Sequence, residues 1–427
     1  MIVAALFALA ILLLVLGFEM LLVLGLPGLM IKEIWFDRLP DIVIGQKIVG
    51  GINHSTLLAI PFFIFAAELM ASGRIAKDLT TLVKAFLGHR AGGMGHTTIG
   101  ACAAFGAVSG SAPATVAALG RIMYPELIKA GYKDRFALGL IVSSAETALL
   151  IPPSITLIIY GWLTGTSITG LFAGGLVIGI TLALAFAAYV VWDSVRSGRT
   201  GTPAPSFAER RRAAGAAGWA LGLPVIILGG IYGGIFTPTE AAAVSVVYAV
   251  FVEAVVYREL TFAGLFGVAG RAAVTNTVIF ILLGMGSLVS YFITLAQLPG
   301  VVIDFMQTIE ANWIVFLMIV NLLFLVAGMF IDPNSALLVL VPALYPVAMS
   351  FGIDPIHFGL IVSLNICIGM ITPPFGLDIF VASSTLDKPV ATIIAGVWPF
   401  VLINLIVLAV VTYVPQLSTF FPKLILG

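Results

Sequence analysis

Apolar runs long enough to cross a lipid bilayer follow one another along most of this chain. A helix needs about 20 apolar residues to span the hydrocarbon core, so the pattern predicts an all-α polytopic membrane protein with about 11 spanning helices. The first run is interpreted as a spanning helix, because it lacks the preceding positive charge and the following cleavage site of a signal peptide. The best-defined runs are residues 1–26, 57–71, 170–192, 214–236, 241–256, 272–294, 313–330 and 392–414.

The composition agrees with a membrane location and excludes other classes. Charged residues make up 9% of the chain and hydrophobic residues 61%, with a mean hydropathy of +1.17. Soluble domains average about 25% charged and about 45–50% apolar residues. The formal net charge is zero, so the chain offers no basic face to nucleic acid. The lipid bilayer is therefore its expected surroundings.

The clearest interruption of the apolar pattern is an arginine-rich connector at residues 193–213. By the positive-inside rule, a short loop of this charge should face the cytoplasm. The connector also divides the chain into two nearly equal halves, which prompts a search for a repeat. Its charges are Arg196, Arg199, Arg210, Arg211 and Arg212 against Asp193 and Glu209.

Rare sequence features recur at one spacing, which indicates an internal duplication. The two Pro-Pro pairs, at 152 and 373, are 221 positions apart, and so are the two Tyr-Pro pairs, at 124 and 345. The pentapeptide Gly-Leu-Ile-Val-Ser begins at 139 and again at 359. Duplicated halves are a common plan of secondary transporters, often with inverted topology. We therefore expect two inverted repeats.

One pair of matching segments predicts re-entrant helical hairpins. Residues 108–115 and 329–335 interrupt apolar runs with small polar residues followed by proline, a combination that ends one helix and suits the start of another. The flanking apolar pieces, about 12–15 residues each, are too short to cross alone. We expect the hairpin tips, 109–113 and 331–335, to reach the middle of the bilayer.

A second pair of matching segments predicts two broken helices, at residues 151–154 and 371–376. Two adjacent prolines remove two backbone donors, and the carbonyls they leave unpaired are costly in lipid. Such backbone is expected to line a cavity or hold an ion. Proline kinks and hydroxyl clusters also serve simple packing, but four breaks in symmetric register favour a built site. Nearby oxygens suit sodium, a hard cation, and belong to Ser109, Ser111, Thr115, Asp332, Asn334, Ser335 and Thr372.

Several ionisable side chains lie within or beside apolar stretches, where burying a charge is costly. Glu146 and Asp378 flank the two broken helices, and Glu68 lies in an earlier apolar run. For each of them, a functional role and an interhelical hydrogen bond are equally good interpretations. Thr237 and Glu240 instead predict a capping box at the start of an alanine-rich helix.

Enzyme signatures are missing from the sequence. It contains no GxSxG, no phosphate-cradling GxxxxGK[ST] and no paired cysteines, and its four histidines are scattered. Cys102 and Cys367 are interpreted as buried free thiols. We expect no enzyme, and no ATP-driven pump unless another subunit supplies the nucleotide site.

Four motifs in order resemble the large membrane subunit, the DctM-like protein, of tripartite ATP-independent periplasmic (TRAP) transporters. They are LAIPFFI with ELM at 58–70, GAVSGSAPAT at 106–115, GIFTPTEAA at 234–242 and ITPPFG at 371–376, and the resemblance covers essentially the whole chain. It implies a multi-pass protein of the bacterial inner membrane that works with a separate small membrane subunit (DctQ-like) and a periplasmic substrate-binding protein (DctP-like). It also implies sodium-driven import of an organic acid, of the C4-dicarboxylate, sialic acid or 2-oxo acid class.

The resemblance further implies an elevator, in which a transport domain slides against a scaffold. The scaffold helices would be 1–90 and 214–298, and the transport-domain halves 91–192 and 299–427. Each tip and its broken helix would hold one of two sodium ions, with substrate between them. The implied sodium ligands are Ser109, Gly110, Ser111, Pro152, Ser154, Asp332, Asn334, Thr372, Pro373 and Gly376. The implied substrate contacts are Ser111, Pro113, Thr115, Asn334 and Ser335.

Neither tip carries an arginine that could pair with a carboxylate substrate, and Arg121 is the nearest. Either helix N-termini and hydroxyls bind the carboxylate, or selectivity rests largely with the binding protein. A stand-alone sodium-coupled carboxylate carrier, needing no binding protein, is the main alternative. A passive channel and a membrane-embedded enzyme come after it.

Overall fold

A computed structural model describes residues 9–10, 12–14, 16–71, 73–199, 201 and 203–426. Within these residues the chain is helical and contains no strand, which confirms the all-α prediction. The helices are α1 (Met20–Trp35), α2 (Ile42–Ile52), α3 (Ala59–Met70), α4 (Gly73–Leu87), α5 (Gly93–Ser109), α6 (Ala112–Lys129), α7 (Asp134–Ala145), α8 (Thr147–Leu150), α9 (Ile155–Thr164), α10 (Ile168–Arg196), α11 (Phe207–Tyr232), α12 (Pro238–Phe251), α13 (Phe262–Leu295), α14 (Leu298–Thr308), α15 (Trp313–Phe330), α16 (Pro333–Ser350), α17 (Pro355–Ile371), α18 (Leu377–Leu386), α19 (Val390–Tyr413) and α20 (Gln416–Leu426).

Helices of spanning length and composition account for much of the described chain. Seven helices meet both conditions, and the number rises to nine if each of two bent pairs is one span. Two of the seven are α15 and α16, the arms of the second hairpin, so the expectation that those arms are too short to cross alone is wrong: each has 18 residues. The chain is therefore polytopic, as predicted, while the total of about 11 crossings stays a prediction.

The prediction that residues 1–26 form one continuous spanning helix is wrong. Residues 1–8, 11 and 15 of it lie outside the described part of the chain. The remainder is interrupted by a turn at Gly17, whose φ of 78° is left-handed, and α1 begins only at Met20. The Phe18 N–H donates to the Leu13 carbonyl at 3.0 Å, which ends the helical turn before Gly17.

The predicted internal repeat is confirmed by the order of the helices. In each half, a helical hairpin is followed by a broken helix and then by a long helix: α5–α6, α7–α9 and α10, matched by α15–α16, α17–α18 and α19. The first residues of the matching helices α5 and α15 are 220 positions apart, those of α6 and α16 are 221, and those of α10 and α19 are 222.

Contacts between the halves are reciprocal, as a two-fold relation requires. Gly139 of α7 packs on Gly396 of α19, where a Cβ on Gly139 would lie 2.1 Å from the Gly396 carbonyl oxygen. Gly174 of α10 packs on Leu360 of α17, where a Cβ would lie 2.4 Å from a Leu360 methyl. Leu360 and Gly396 are the repeat equivalents of residues 139 and 174, within one position. The inverted orientation of the repeats in the membrane stays a prediction.

The remaining helices flank this pseudo-symmetric unit. The 34-residue α13 packs against α1, α2 and α3, and it also contacts α16 of the second hairpin. The predicted capping box at the start of α12 is confirmed: the Thr237 hydroxyl accepts from the Glu240 N–H, and the Glu240 carboxylate accepts from the Thr237 N–H. The scaffold and transport domain boundaries given above stay predictions.

The arginine-rich connector is shorter than its composition suggested. Helix α10 extends to Arg196 and α11 begins at Phe207, so residues 197–206 join the two helices. Ser206 and Glu209 form a capping box at the start of α11, and the three arginines at 210–212 lie in its first turns.

The connector should be reached by a thiol reagent only from the cytoplasm. Ala204→Cys places a thiol on an exposed residue and leaves the cap at Ser206 intact. Native Cys102 and Cys367 are buried, so a membrane-impermeant maleimide reports on the new thiol alone. We expect labelling only after the membrane is permeabilised, because arginines are costly to translocate in a short loop. Labelling of intact spheroplasts would contradict the assignment.

Candidate ion and substrate site

A cavity of about 260 Å³ lies where both hairpin tips and both broken helices meet. Leu149, Ile155 and Thr156 come from the first broken helix, and Met370 and Leu377 from the second. Helices α3 and α13 close the other side. Six of the predicted site residues line this cavity: Ser109, Gly110, Ser111, Pro113, Asp332 and Asn334.

The first hairpin tip is a neutral, hydroxyl-rich turn. Ser111 caps α6, its side chain accepting from the Ala114 N–H at 3.4 Å, and Pro113 lies in the first turn, where its missing N–H costs nothing. The Thr115 hydroxyl donates to the Ser111 carbonyl at 2.8 Å and lies 3.1 Å from the Ser109 hydroxyl. Thr115 is fully buried and does not line the cavity. Its hydrogen bonds stabilise the turn of the tip.

Gly110 brings the first tip into backbone contact with the first broken helix. Its φ of 61° is left-handed, which favours glycine. A Cβ at this position would lie 2.6 Å from the Pro153 carbonyl oxygen. The tip and the break are therefore packed directly against each other at this point.

The first break replaces one lost backbone bond with a side chain. Pro152-Pro153 is a cis peptide, and neither proline can donate to the preceding helical turn. In a continuous helix, the Leu149 carbonyl would accept from residue 153. Here the Ser154 hydroxyl donates to that carbonyl, and the same hydroxyl accepts from the Leu157 N–H to cap α9. Pro152 and Ser154 are buried and do not line the cavity.

The second tip differs from the first because its cap is a carboxylate. Asp332 accepts from the N–H groups of Asn334 and Ser335, at 3.1 and 3.2 Å, and from the Ser335 hydroxyl. Ser335 is fully buried and belongs to this cap, and it does not line the cavity. The Asn334 amide oxygen has no hydrogen-bond partner among the described residues, although the atom is buried. Asn334 is also a residue of the cavity wall.

The second break is a closely packed turn beside the cavity. Pro373-Pro374 is cis, like its counterpart. The Thr372 hydroxyl donates to the Ile368 carbonyl at 2.6 Å, which leaves its own oxygen free to act as a ligand. A Cβ on Gly376 would lie 2.6 Å from the carbonyl oxygen of Met370, a cavity residue. Thr372, Pro373 and Gly376 do not themselves line the cavity.

The cavity wall carries acidic but no basic side chains among the described residues. Glu68 of α3 faces the cavity and is paired with Arg271 of α13, with 3.3 Å between nitrogen and oxygen. Arg121, the nearest arginine to the first tip in sequence, is exposed on α6 and does not line the cavity. A substrate carboxylate would therefore rely on helix N-termini and neutral donors.

Two cavity hydroxyls were missed by sequence reasoning. Thr156 follows the first proline break by two residues, and that proximity could have identified it. Thr275 lies in the middle of α13 and begins the polar triplet Thr275-Asn276-Thr277, which interrupts an apolar run and could have identified it. Of the other ionisable candidates, Glu146 and Asp378 are fully buried outside the cavity. Asn365 of α17 donates to the Asn321 side chain at 2.8 Å, an interhelical contact.

The chemistry of the site is binding by oxygen. Hydroxyl side chains, one amide side chain and two carboxylate side chains line a cavity that accommodates a small molecule, and hard cations prefer oxygen ligands of these kinds. Among the described residues, no group of three or more His, Cys, Asp or Glu side chains could hold a metal ion.

Comparisons with known proteins agree on one family. The family model described as "Tripartite ATP-independent periplasmic transporter, DctM component" matches residues 6–417. The ectoine/5-hydroxyectoine TRAP transporter large permease of Ruegeria pomeroyi is 41% identical, over 99% of each chain. The C4-dicarboxylate TRAP large permease of Rhodobacter capsulatus is 37% identical, over 95% of this chain and 97% of that one. The sialic acid TRAP large permease of Vibrio cholerae is 40% identical, over 90% of each.

A solved structure shares the fold. The crystal structure of the Alcanivorax borkumensis YdaH transporter superimposes with a TM-score of 0.65 over 89% of each chain, at 14% sequence identity. At that identity, the likeness concerns the fold alone.

The contact between the first tip and the first break should make Gly110 more sensitive to substitution than a comparable glycine. Gly110→Ala and Gly165→Ala each place a side chain in a left-handed conformation, at φ 61° and 70°, which costs about 1–2 kcal/mol. Only at Gly110 does the added methyl meet a carbonyl, because no heavy atom lies within 4 Å of a Cβ at Gly165. Thermal unfolding in detergent should show the larger loss for Gly110→Ala. Equal losses would contradict the contact.

Proposed function

The chain belongs to the DctM-component family of tripartite ATP-independent periplasmic transporters, and from that premise we propose sodium-coupled import of a small carboxylate-bearing solute. The protein is a TRAP large permease with many membrane crossings. The bacterial inner membrane is the proposed location. A DctQ-like small membrane subunit and a DctP-like periplasmic binding protein are the proposed partners.

The observation that supports this function best is the convergence of four helix interruptions on one cavity. Two hairpin tips and the residues that flank two proline breaks, far apart in sequence, all contribute to its wall. Interrupted helices at membrane depth are tolerated where they line a cavity, and they offer carbonyls to cations and N-termini to anions. Residues from helix N-termini and the two residues before the breaks, Leu149 and Met370, line the same cavity here, which supports the proposal.

Two sodium ions are proposed, one for each tip and its break. At the first, the ligands would be the oxygens of Ser109, Gly110 and Ser111 with the backbone around Pro152 and Ser154. At the second, they would be Asp332, Asn334 and Thr372 with the backbone at Pro373 and Gly376. Only the second set includes a full negative charge, so we expect it to bind sodium more tightly.

The substrate carboxylate is proposed to bind at the first tip. Helix α6 begins there with a neutral serine cap, so its partial positive charge is available to an anion. Helix α16 begins with Asp332, whose carboxylate already occupies the N–H groups. The relatives named above are transporters of an ectoine, a C4-dicarboxylate and sialic acid, all of which carry a carboxylate.

The cavity lies at a boundary between two groups of helices, which supports an elevator. Hairpins and broken helices form one side, while Glu68 of α3 and Thr275 of α13 belong to the other. Movement of the first group past the second would carry the site across the membrane. Sodium bound at the tips would raise the affinity for the anion, and the bound anion would raise the affinity for sodium. The free energy of such reciprocal coupling is typically about 1–3 kcal/mol.

Removal of a single sodium ligand should weaken sodium binding more than it weakens delivery by the binding protein. Ser111→Ala and Thr372→Val should each raise the sodium concentration for half-maximal uptake. Thr181→Val is the matched control, because its hydroxyl donates to a helical carbonyl as that of Thr372 does, at 2.8 Å, but far from the cavity on α10. Uptake is measured in proteoliposomes containing both membrane subunits and the binding protein.

Undiminished uptake in potassium buffer without sodium, or uptake that follows a proton gradient instead, would refute this function. Uptake without any binding protein would favour the stand-alone carrier. Solute conduction without counterflow would favour a channel.

A further inference from the structure

Behind the cavity wall lies a polar cluster that the proposed function does not use. It consists of Glu146 at the junction of α7 and α8, Asp378 in the first turn of α18, and Asn404 in the middle of α19. All three side chains are completely buried. The Asn404 amide nitrogen donates to one oxygen of Glu146 at 2.9 Å.

The cluster contains more acceptor oxygens than donors. One oxygen of Glu146, both oxygens of Asp378 and the amide oxygen of Asn404 have no hydrogen-bond partner among the described residues. No ion pair within the described chain includes Glu146 or Asp378. Helix α7, which ends next to Glu146, packs against α18 and α19, and these two helices also pack against each other. Two buried carboxylates without a positive partner are strongly unfavourable when ionised.

The position of the cluster ties it to the transport cavity. Leu149, three residues after Glu146, and Leu377, directly before Asp378, both line that cavity. The Cys367 thiol approaches the Glu146 carbonyl at 3.9 Å. Cys367 is the repeat equivalent of Glu146, 221 positions later, so the pseudo-two-fold axis passes between them. The cluster therefore lies at the junction of the two repeats, beside the cavity.

We propose that Glu146, Asp378 and Asn404 form a third sodium site at the junction of the two repeats. One proton would give a donor to one oxygen, whereas one bound sodium ion would satisfy several of the four unpartnered oxygens and balance charge as well. The ligand set of two carboxylates and an amide suits a hard monovalent cation and lacks the nitrogen and sulfur ligands of a zinc site. This inference rests on the proposed sodium coupling, which supplies the ion.

A cation held there would join the repeats. Glu146 belongs to the first repeat, while Asp378 and Asn404 belong to the second. Because the ion is liganded from both, its departure would leave mutually repelling carboxylates at the junction. Occupancy of this site would therefore hold the two broken helices in the arrangement that closes the cavity.

The first test is sodium-dependent stability of the purified chain. Glu146→Gln and Asp378→Asn each remove one charge with little change of shape. A ligand that binds only the folded state stabilises with the logarithm of its concentration, and the slope gives the number of bound ions. We expect this slope, measured as melting temperature against sodium at constant ionic strength with choline, to fall by one ion in both variants.

Asp387→Asn is the control for this experiment. Asp387 is exposed at the end of α18, and its φ of 50° is one that asparagine also adopts. The dependence of melting temperature on sodium concentration in this variant should have the same slope as in the wild type.

The second test counts ions during transport by the complete system with both membrane subunits and the binding protein. The reversal potential of substrate flux gives the number of sodium ions per substrate, which should be one lower in Glu146→Gln and Asp378→Asn. An unchanged ratio overturns the proposal, and so does a change confined to pH dependence, which would assign the cluster to a proton. Wild-type transport without any sodium requirement would refute the proposed function itself, and this site with it.

Asn404→Asp keeps the proposal falsifiable if the neutral variants fold poorly. A third carboxylate should lower the sodium concentration for half-maximal stabilisation by roughly tenfold, because affinity for hard cations rises with the charge of the ligands. If the cluster is only a packing contact, the same substitution adds an unbalanced buried charge. It would then lower the melting temperature equally with and without sodium, which overturns the site.

Discussion

The arrangement of this protein depends on the need to satisfy backbone polar groups inside a lipid bilayer. Each proline pair removes two N–H donors from a helix that would otherwise satisfy itself. The protein replaces part of the loss locally, as where the Ser154 hydroxyl donates to the Leu149 carbonyl. At the first break a hairpin tip also packs closely, with Gly110 against the Pro153 carbonyl. A local defect in that helix thus coincides with the place where the hairpin packs.

The two repeats have similar backbones but differ in where they carry negative charge. This difference makes the two ends of the site chemically distinct. The first tip is capped by Ser111 and the second by Asp332, so only one of the two hairpin-tip N-termini is free of a carboxylate. The buried carboxylates follow the same logic: Glu146 stands where the second repeat has Cys367, and Asp378 stands where the first has Thr156. Each repeat supplies one buried acid at a different position. Symmetric backbones therefore produce a site with distinct ends.

The boundary between the hairpins and the long helix α13 is tightly fitted. A Cβ on Gly286 of α13 would lie 2.5 Å from the Leu338 side chain of α16. Glu68 and Arg271, which form an ion pair beside the cavity, belong to α3 and α13 on the side that does not contain the tips. An elevator movement would have to exchange contacts of this kind, since packed interfaces switch between discrete arrangements.

Local chemistry let the sequence determine much of this protein by itself. Long apolar runs specify membrane helices, proline with glycine or serine specifies where helices break, and a common spacing of 221 reveals the repeat. The capping box at Thr237 and Glu240 was predictable for the same reason, because all its bonds lie within one turn. The turn at Gly17 was not, since a single glycine in an apolar run carries no such pattern.

Only the tertiary structure decided which polar side chains face the cavity. Thr115 and Ser335 lie in the predicted tips but turn inward to brace them, while Thr275 joins the wall from a distant helix. The pairing of Glu146 with Asn404 spans 258 positions and follows from the packing of α7 against α19. In a membrane protein the lipid-facing and core-facing sides of a helix are both apolar, so hydrophobic periodicity does not reveal which side is buried. That choice is made by packing between helices, which no local pattern encodes.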